Sequence, residues 1–214
     1  MTKTKGSLSK QAYSVLKEKL LTLESGAYLS ARQFAGEIGM SYTPVREAFL
    51  LLQKEGALEQ VPNVGFFVAS MDPNEILQMF QVRECIEPFV LQRVIKRVTP
   101  SHIILMRGFA EEQKQALYAE DIAKYMKLDI KIHEVLLDIY DNPYIKSLYH
   151  TVREKHMICS SRIGLSFYPD ALEEHAKLID AIESGNTELS MELLNNHIEI
   201  AKHRIMEGFI KVSE

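Results

Sequence analysis

The chain has 214 residues, of which 46% are hydrophobic and 25% charged, and this composition is typical of a folded globular protein. No run of eighteen apolar residues occurs, and no apolar stretch follows the N-terminal lysines, so the sequence predicts neither a membrane span nor a secretion signal, and a cytoplasmic location. The net charge of -4 is unevenly distributed. Residues 1–70 carry eight basic against six acidic side chains, and residues 71–214 carry seventeen against twenty-three, which is weak support for a polyanionic partner of the first part.

The chain begins with two predicted helices. The first extends from about Ser9 to Leu23. The second lies in the segment SARQFAGEIG, where Ser30-x-x-Gln33 forms a capping box and Gly39 ends the helix in a left-handed conformation.

Both cysteines of the chain, Cys85 and Cys159, are isolated in later helical patterns and are predicted to be buried thiols rather than a disulfide.

A third helix follows at once in MSYTPVREAFLLLQKEG. We expect Thr43 to cap it, Pro44 to occupy its first position and Gly56 to end it. Two short helices joined by about four residues indicate a helix-turn-helix. The next segment, ALEQVPNVGFFVAS, has two short apolar runs around the turn Pro62-Asn63-Val64-Gly65 and predicts a β-hairpin, which would be the wing.

The pattern changes near Met71 to long helices separated by short breaks. We expect these helices near 73–97, 100–118, 120–140, 143–164, 170–184 and 187–211. The predicted fold is therefore mainly all-α, with domains at 1–70 and 71–214. The first is a winged helix-turn-helix of three helices and a small β-hairpin, and the second is an antiparallel helical bundle.

The helix-turn-helix predicts which side chains face DNA. The second helix of this motif enters the major groove with its first turn towards the base edges, which selects Ser41, Tyr42, Thr43 and Arg46. The guanidinium of Arg46 can bridge O6 and N7 of guanine. Arg32 and the hydroxyls of Ser41 and Thr43 are placed for contacts with phosphates or base edges.

One helix of the second domain carries polar groups on its apolar face. Asp129 and His133 share that face with Ile132, Leu136, Leu137 and Tyr140. Burying a charged group costs several kcal/mol unless an opposite charge or good hydrogen bonds meet it. A partner for this pair is therefore expected.

Two further histidines lie on apolar faces of the last two helices. His175 and His197 stand about eleven residues before and after the break at Gly185-Asn186, so they lie at the same height in an antiparallel helix pair. A single such histidine is more often an ordinary core residue, but Asp129 and His133 add two ligands four residues apart on a third helix. The four side chains predict a divalent metal site that suits Zn²⁺, with Ni²⁺ or Mn²⁺ as alternatives.

The predicted helix-turn-helix and metal site together leave three functions open. A ligand-responsive regulator is the first, a regulator that senses the metal itself is the second, and a metal-dependent hydrolase or lyase is the third. The segment HEVLL at His133 is not the H-E-x-x-H zinc-protease motif, because Leu137 takes the place of the second histidine. No second buried carboxylate is placed as a general base, so the sequence favours a protein that is not an enzyme.

The segment FAGEIGMSYTPVREAFLLLQKEGALEQVPNVGFFV resembles the winged helix-turn-helix of the GntR family of bacterial transcription regulators. The match covers about 70 residues and includes the Thr-Pro-Val-Arg-Glu-Ala run, the Glu-Gly helix end and the Pro-Asn-x-Gly wing. The resemblance implies DNA contacts from Arg32, Ser41, Thr43 and Arg46, and close approach of the Gly65 backbone to the minor groove.

Two residues depart from the pattern of that family. Tyr42 stands where arginine is common, and Val64 stands where a basic wing residue is common. We therefore expect an unusual operator sequence, fewer phosphate contacts and a shallower dependence of DNA affinity on salt.

The segments VRECIEPFVLQRV, LDIKIHEVLL, EEHAKLIDAIESGN and NNHIEIAKHRI resemble the FCD effector domain of the FadR branch of that family. This resemblance implies a divalent metal on the four ligands named above, a small organic-acid effector, a homodimer and an inverted-repeat operator. Arg83 would bind the effector carboxylate, although an ion pair with Glu87 is an equal alternative. Arg153 and Arg162 are weaker candidates than Arg83 for a positive charge in the cavity that binds the effector.

Overall fold

The computed structural model describes residues 5–70, 72–161 and 169–213. Its chain divides into two compact units, Met1–Met71 and Asp72–Glu214. In the described part, no helix carries an apolar stretch long enough to cross a lipid bilayer.

The first unit contains three helices and a three-stranded sheet. Its elements are α1 (Lys5–Leu20), β1 (Tyr28–Leu29), α2 (Ala31–Glu37), α3 (Tyr42–Lys54), β2 (Leu58–Val61) and β3 (Gly65–Val68). The strand order is β1-β3-β2, and both pairs are antiparallel. The predicted hairpin thus gains a third strand, β1, which the sequence did not indicate because two residues show no alternation.

The start of α3 differs from the prediction. The helix begins at Tyr42 with Ser41 at the N-cap, so Thr43 is not the cap and Pro44 is the third helical residue. Proline is tolerated there because the first four N–H groups of a helix have no acceptor within it. Gly56 follows the helix with a φ of 77°, in agreement with its expected role as a stop.

The core of this unit forms around Phe49 of α3, which is fully buried. Its ring packs against Phe34 of α2 at 5.8 Å between centroids and against Phe66 of β3 at 4.9 Å. Burial of one such side chain contributes about 1.5–3 kcal/mol. The helix α3 is therefore held by one aromatic cluster to both the preceding helix and the sheet.

The second unit is a helical bundle in its described residues. Its elements are α4 (Pro73–Val94), a 3₁₀ turn (Ile95–Arg97), α5 (Pro100–Tyr118), α6 (Ile122–Tyr140), α7 (Pro143–Ser161), α8 (Pro169–Glu183) and α9 (Thr187–Ser213). The long helix α4 packs on α6, α7 and α9, while α8 packs on α5 and α9. The inner faces of α5, α6, α8 and α9 are thereby brought together.

One prediction about the thiols is wrong. Cys85 is exposed, because the buried face of α4 is formed by its neighbours Arg83, Ile86 and Glu87. The side chain of Cys159 lies outside the described residues.

Candidate functional site

Four side chains from three helices converge in the second unit. Asp129 and His133 come from α6, His175 from α8 and His197 from α9, and one ligand atom of each lies within 4.8 Å of all the others. The three histidines are buried and Asp129 is half-buried. The four residues that the sequence predicted as metal ligands thus lie together.

Two of the histidines are oriented by neighbouring oxygens. Nδ1 of His175 lies 3.0 Å from Oε1 of Gln113 on α5, and Nδ1 of His197 lies 2.7 Å from Oε2 of Glu174 on α8. Since an amide or carboxylate oxygen only accepts, each Nδ1 carries the hydrogen and donates it. Burial is the main cause that lowers the pKa of both imidazoles, so both are neutral and their Nε2 atoms are free of hydrogen.

The third histidine has a similar neighbour. Nδ1 of His133 lies 3.0 Å from Oε2 of Glu87, although that oxygen receives no hydrogen bond of good geometry from the described residues. The charge of the carboxylate still favours a hydrogen on Nδ1. Oxygen partners of this kind hold metal-binding histidines in the required tautomer.

The resulting arrangement of lone pairs fits a bound cation. Nε2 of His133 and Nε2 of His175 are 3.3 Å apart. If both Nδ1 atoms carry the hydrogen, two lone pairs face each other across this gap and repel unless a positive charge lies between them. Two nitrogens on one tetrahedral zinc ion, each at 2.0–2.1 Å, are separated by roughly 3.4 Å. The distance between these two nitrogens is therefore compatible with a divalent ion bound to both.

The carboxylate ligand is held in its charged form. Arg153 donates to Oδ2 of Asp129, and Nε2 of Gln113 lies 3.4 Å from Oδ1. Burial alone would raise the pKa of Asp129, but opposing effects, of which the charge of Arg153 is the largest, hold the pKa well below its ordinary value. Asp129 is thus available as an anionic ligand.

A second buried ion pair lies on α4. Nε of Arg83 donates to Oε1 of Glu87 at 2.6 Å, and both side chains are almost fully buried. Burial raises the pKa of Glu87, but Arg83 first and His133 second lower it, and the net pKa is well below the ordinary value. The ion-pair alternative for Arg83 is therefore present. Together with the pair of Arg153 and Asp129, the region holds two positive and two negative charges, so these four side chains have no net charge.

Several buried donors in this region have no partner among the described residues. They are the second terminal nitrogen of Arg83, Nε and one terminal nitrogen of Arg153, and the hydroxyl of Tyr149. Burial raises the pKa of Tyr149, so its hydroxyl keeps its hydrogen. A buried donor without an acceptor costs about 1–3 kcal/mol, which makes these groups a favourable place for an anionic ligand.

The side chains predicted to face DNA are exposed in the first unit. Arg32, Ser41, Tyr42, Thr43 and Arg46 all lie on the surface at the starts of α2 and α3. The Ser41 side chain makes no capping hydrogen bond, so its hydroxyl is not used by the helix. The guanidinium carbon of Arg32 lies 5.8 Å from the centre of the Tyr42 ring, within the range of a cation–π contact.

The sixth predicted DNA contact, Gly65, is the first residue of β3, directly after the wing turn. Asn63 in that turn has a φ of 63°, the left-handed conformation that asparagine tolerates. The turn is closed by the amide of Val64, which donates to the carbonyl of Val61 at 3.1 Å.

Both units match known families. Residues 8–68 match the family described as bacterial regulatory proteins, gntR family, and residues 78–200 match the family described as FCD domain. The chain belongs to the GntR family. This GntR-family regulator therefore has an N-terminal helix-turn-helix domain and a C-terminal FCD domain.

Relatives of similar length support this assignment. The HTH-type transcriptional regulator YdhC of Bacillus subtilis is 27% identical over 208 residues, which are 92% of each chain. The gluconate operon transcriptional repressor of the same organism is 25% identical over 190 residues, covering 86% of this chain and 78% of that protein. These relatives are transcription regulators, and this protein is a transcription regulator and not an enzyme.

The fold is also that of a solved structure. A GntR transcriptional regulator from Rhodococcus sp. RHA1 has a TM-score of 0.82 at 21% identity, with 93% of this chain and 97% of that chain covered. At this identity, the likeness concerns the fold alone.

Sequence reasoning missed the partners of the ligands in this regulator. Gln113 follows Met106 by seven residues and precedes Ala116 by three, so the helical period of α5 places it on the buried face. Glu174 had no such signal, because its role depends on His197 of the neighbouring helix. Arg162, which the sequence suggested as a cavity cation, lies outside the described residues.

Proposed function

We propose that this GntR-family protein is a ligand-responsive repressor that binds an inverted-repeat operator as a dimer in the cytoplasm. In this proposal a divalent metal ion and a small organic acid bind together in the FCD domain and control the affinity for DNA. The observation that carries the proposal is the cluster of four candidate metal ligands beside buried arginine donors that have no acceptor among the described residues.

The first unit would contact DNA with the start of α3 and with the wing. Arg46 lies one turn into α3 and can read a guanine edge, while Arg32, Ser41 and Thr43 can reach phosphates or neighbouring bases. A dimer would place two such helices in successive major grooves, roughly 34 Å apart. Repression is proposed because the similar Bacillus subtilis protein is a repressor of the gluconate operon.

The metal would be held by Asp129, His133, His175 and His197. Their one carboxylate and three neutral imidazoles suit Zn²⁺, and also Ni²⁺ or Mn²⁺. A divalent ion held by these residues would supply Lewis-acid chemistry, which favours the binding of a carboxylate effector.

The effector site would be completed by Arg83, Arg153 and Tyr149. Their unpartnered N–H and O–H groups can donate to the acid, in the buried surroundings where such bonds are strong. Each of the ion pairs Arg83–Glu87 and Arg153–Asp129 is neutral by itself. A divalent cation would therefore give this buried region a net charge of two positive units. An anionic ligand is the means by which this buried charge is compensated.

Effector binding would change the helical packing. A narrow space beside the cluster has no room for a water-sized sphere, and its lining includes Glu87, Val90, His133 and Leu194. These residues belong to α4, α6 and α9, so a ligand that enters must move them apart. An effector would thus favour one arrangement of the bundle, which is a shift of population between two states.

The decisive test of the ligand half is elemental analysis together with thermal unfolding. Tag-free protein is expected to contain one ion per chain, and small carboxylates are expected to raise the melting temperature of the loaded protein by mass action. His175→Ala should lose both the ion and the response. His203→Ala, an exposed histidine on α9, should keep both.

The outcomes separate the alternatives. If operator affinity follows metal loading and no organic acid alters it, the protein is a metal sensor. If purified protein contains no stoichiometric ion and takes up none on titration, the proposal that the FCD domain binds its effector through a metal ion is wrong.

The DNA half is tested by fluorescence anisotropy on a duplex that the wild-type protein selects from a random pool. Arg46→Ala is expected to weaken binding by roughly 10- to 100-fold, because it removes a bidentate base contact of about 1–3 kcal/mol. Arg97→Ala, an exposed arginine of the second unit, serves as the control. Equal affinity of the two variants would contradict the proposed role of α3.

A further inference from the structure

One exposed tyrosine contacts the wing at three points. Tyr28 in β1 is 52% exposed, so most of its ring does not belong to the core. Its hydroxyl donates to the carbonyl oxygen of Val64 at 3.3 Å. Its ring meets that of Phe67 edge-on, with 5.5 Å between the centroids.

The third contact is with backbone. A Cβ added to Gly65 would lie 2.6 Å from Cε2 of Tyr28, a distance that real Cβ atoms do not reach. The ring of Tyr28 therefore lies directly on the backbone at the tip of the wing. Gly65 also has a φ of 155°, which side-chain-bearing residues rarely adopt, so glycine is required there for two reasons.

The wing needs such support because its strands are short. β2 and β3 have four residues each, and an isolated two-stranded hairpin is marginally stable in water. β1 adds two paired residues, which lie opposite the central residues Phe66 and Phe67 of β3, and it does not pair with the turn itself. Among the described residues, Tyr28 is the side chain that forms a hydrogen bond with the turn at 62–65.

We propose that Tyr28 is a positioning residue that sets the location of the wing tip for binding to DNA. The inference rests on the proposed DNA binding by this unit. Tyr28 acts on DNA through Val64 and Gly65, because it holds their backbone in place before the complex forms. A tip that is already ordered loses less conformational freedom on binding, and the affinity is higher for that reason.

The test compares two variants of Tyr28 in the full chain. Tyr28→Phe removes only the hydrogen bond and is expected to weaken binding to the selected duplex about twofold. Tyr28→Ala removes all three contacts and is expected to weaken it about 5- to 10-fold. In both variants, the backbone amides of residues 63–66 should exchange hydrogen faster than in the wild type, while the melting temperature stays unchanged because little core is exposed.

Two controls keep the inference apart from its premise. Tyr144→Ala removes an 86% exposed tyrosine from the second unit and should change nothing. If Arg46→Ala weakens binding but Tyr28→Ala does not, the inference about Tyr28 is wrong and the DNA-binding proposal stands. If neither variant weakens binding, the DNA-binding proposal itself fails. A fall in melting temperature that accounts for the whole loss of affinity would make Tyr28 merely structural and would overturn the inference.

A double variant tests the contact with the glycine. Gly65→Ala should weaken DNA binding in the wild-type background, since its methyl group collides with the Tyr28 ring. In the Tyr28→Ala background the same substitution should cause a smaller further loss, because only the backbone strain is left. Equal losses in the two backgrounds would show that the ring does not fix the tip.

Discussion

The two units of this protein use arginine in opposite ways. In the N-terminal unit, Arg32 and Arg46 are exposed, and their proposed partners belong to another molecule. In the C-terminal unit, Arg83 and Arg153 are at most 1% exposed, and each is bound to a carboxylate of the same chain. An exposed arginine contributes little to folding and is free to serve in recognition, whereas a buried one constrains everything around it.

This difference has an energetic basis. Exposed ion pairs contribute about 0–1 kcal/mol, because water already solvates both charges. In a buried pair the loss of one partner leaves an unbalanced charge and costs about 3–5 kcal/mol. The predicted effects of substitution therefore differ strongly between the exposed and the buried arginines.

The largest effect is expected at the buried pair on α4. Arg83→Met should lower the free energy of unfolding of the metal-free protein by about 3–5 kcal/mol, because the charge of Glu87 is left without its partner. Urea denaturation measures this change. Arg107→Met, at an exposed arginine paired with Asp180 and Glu183, should cost at most about 1 kcal/mol.

The double variant Arg83→Met with Glu87→Leu should be more stable than Arg83→Met alone, because no buried charge is left unpaired. A double variant that is less stable than the single one would contradict the view that charge balance governs this region.

The next effect concerns the metal. Gln113→Leu removes the amide that accepts from Nδ1 of His175 and lies against Asp129, and it should weaken metal affinity about 10- to 100-fold. Competition with a chelating dye measures this affinity. The control is Gln115→Leu, two residues along the same helix, where the side chain is exposed and donates to Glu111. Equal affinities for the two variants would exclude a role for Gln113.

A smaller effect is expected from the buried histidine that is not a metal ligand. His156 packs edge-on against Phe80 at 5.1 Å, and burial lowers its pKa well below the ordinary value near 6.5. Below pH 6.5 the unfolded chain binds this proton more readily than the folded one. The free energy of unfolding is therefore not reduced by this group above pH 6.5, and it decreases as the pH falls from 6.5 towards the pKa of the folded state.

His156→Gln in the metal-free protein should therefore flatten the loss of stability between pH 6.5 and 5, by up to about 1.4 kcal/mol per pH unit. Urea denaturation at several pH values measures the slope. His203→Gln, at an exposed position, should leave the slope as it is in the wild type. The same slope in all three proteins would show that His156 titrates normally.

The smallest effect is expected on the DNA-reading surface. Arg32 and Tyr42 are in cation–π distance, and such contacts between exposed groups contribute about 0.5–1 kcal/mol. Tyr42→Ala should therefore weaken operator binding two- to fivefold in the wild type and less in an Arg32→Ala background. A double-mutant cycle by fluorescence anisotropy measures this coupling. Strictly additive losses would mean that Tyr42 acts without Arg32.

Much of this architecture could be predicted from periodicity and helix-boundary residues. The helices of both units follow apolar stripes, and glycine or proline marks their ends, so the sequence alone indicated their order. The cluster of four candidate metal ligands could be predicted because polar groups on an apolar helix face are energetically costly and therefore stand out in the sequence. His175 and His197 are also equally far from one turn, which gives their relative height.

What the sequence did not predict depends on contacts between distant segments. The strand β1 is defined by pairing with β3 and has no local pattern. The exposure of Cys85 follows from the rotation of α4, whose buried face includes the charged residues Arg83 and Glu87 that a simple apolar pattern assigns to the surface. The partners of the ligands are polar residues whose function appears only when neighbouring helices are packed.

The amide of Gln113 has a consequence for what position 113 can accept. Its oxygen faces Nδ1 of His175, which is a donor, and its nitrogen faces Oδ1 of Asp129, which is an acceptor. One planar amide therefore meets a donor at one end and an acceptor at the other. Glutamate has the same shape, but it would set two carboxylates against each other. Lysine would donate where His175 already donates. Asparagine is one methylene shorter and falls short of both. The polar groups where α5, α6 and α8 meet therefore favour glutamine over glutamate, lysine and asparagine at this position.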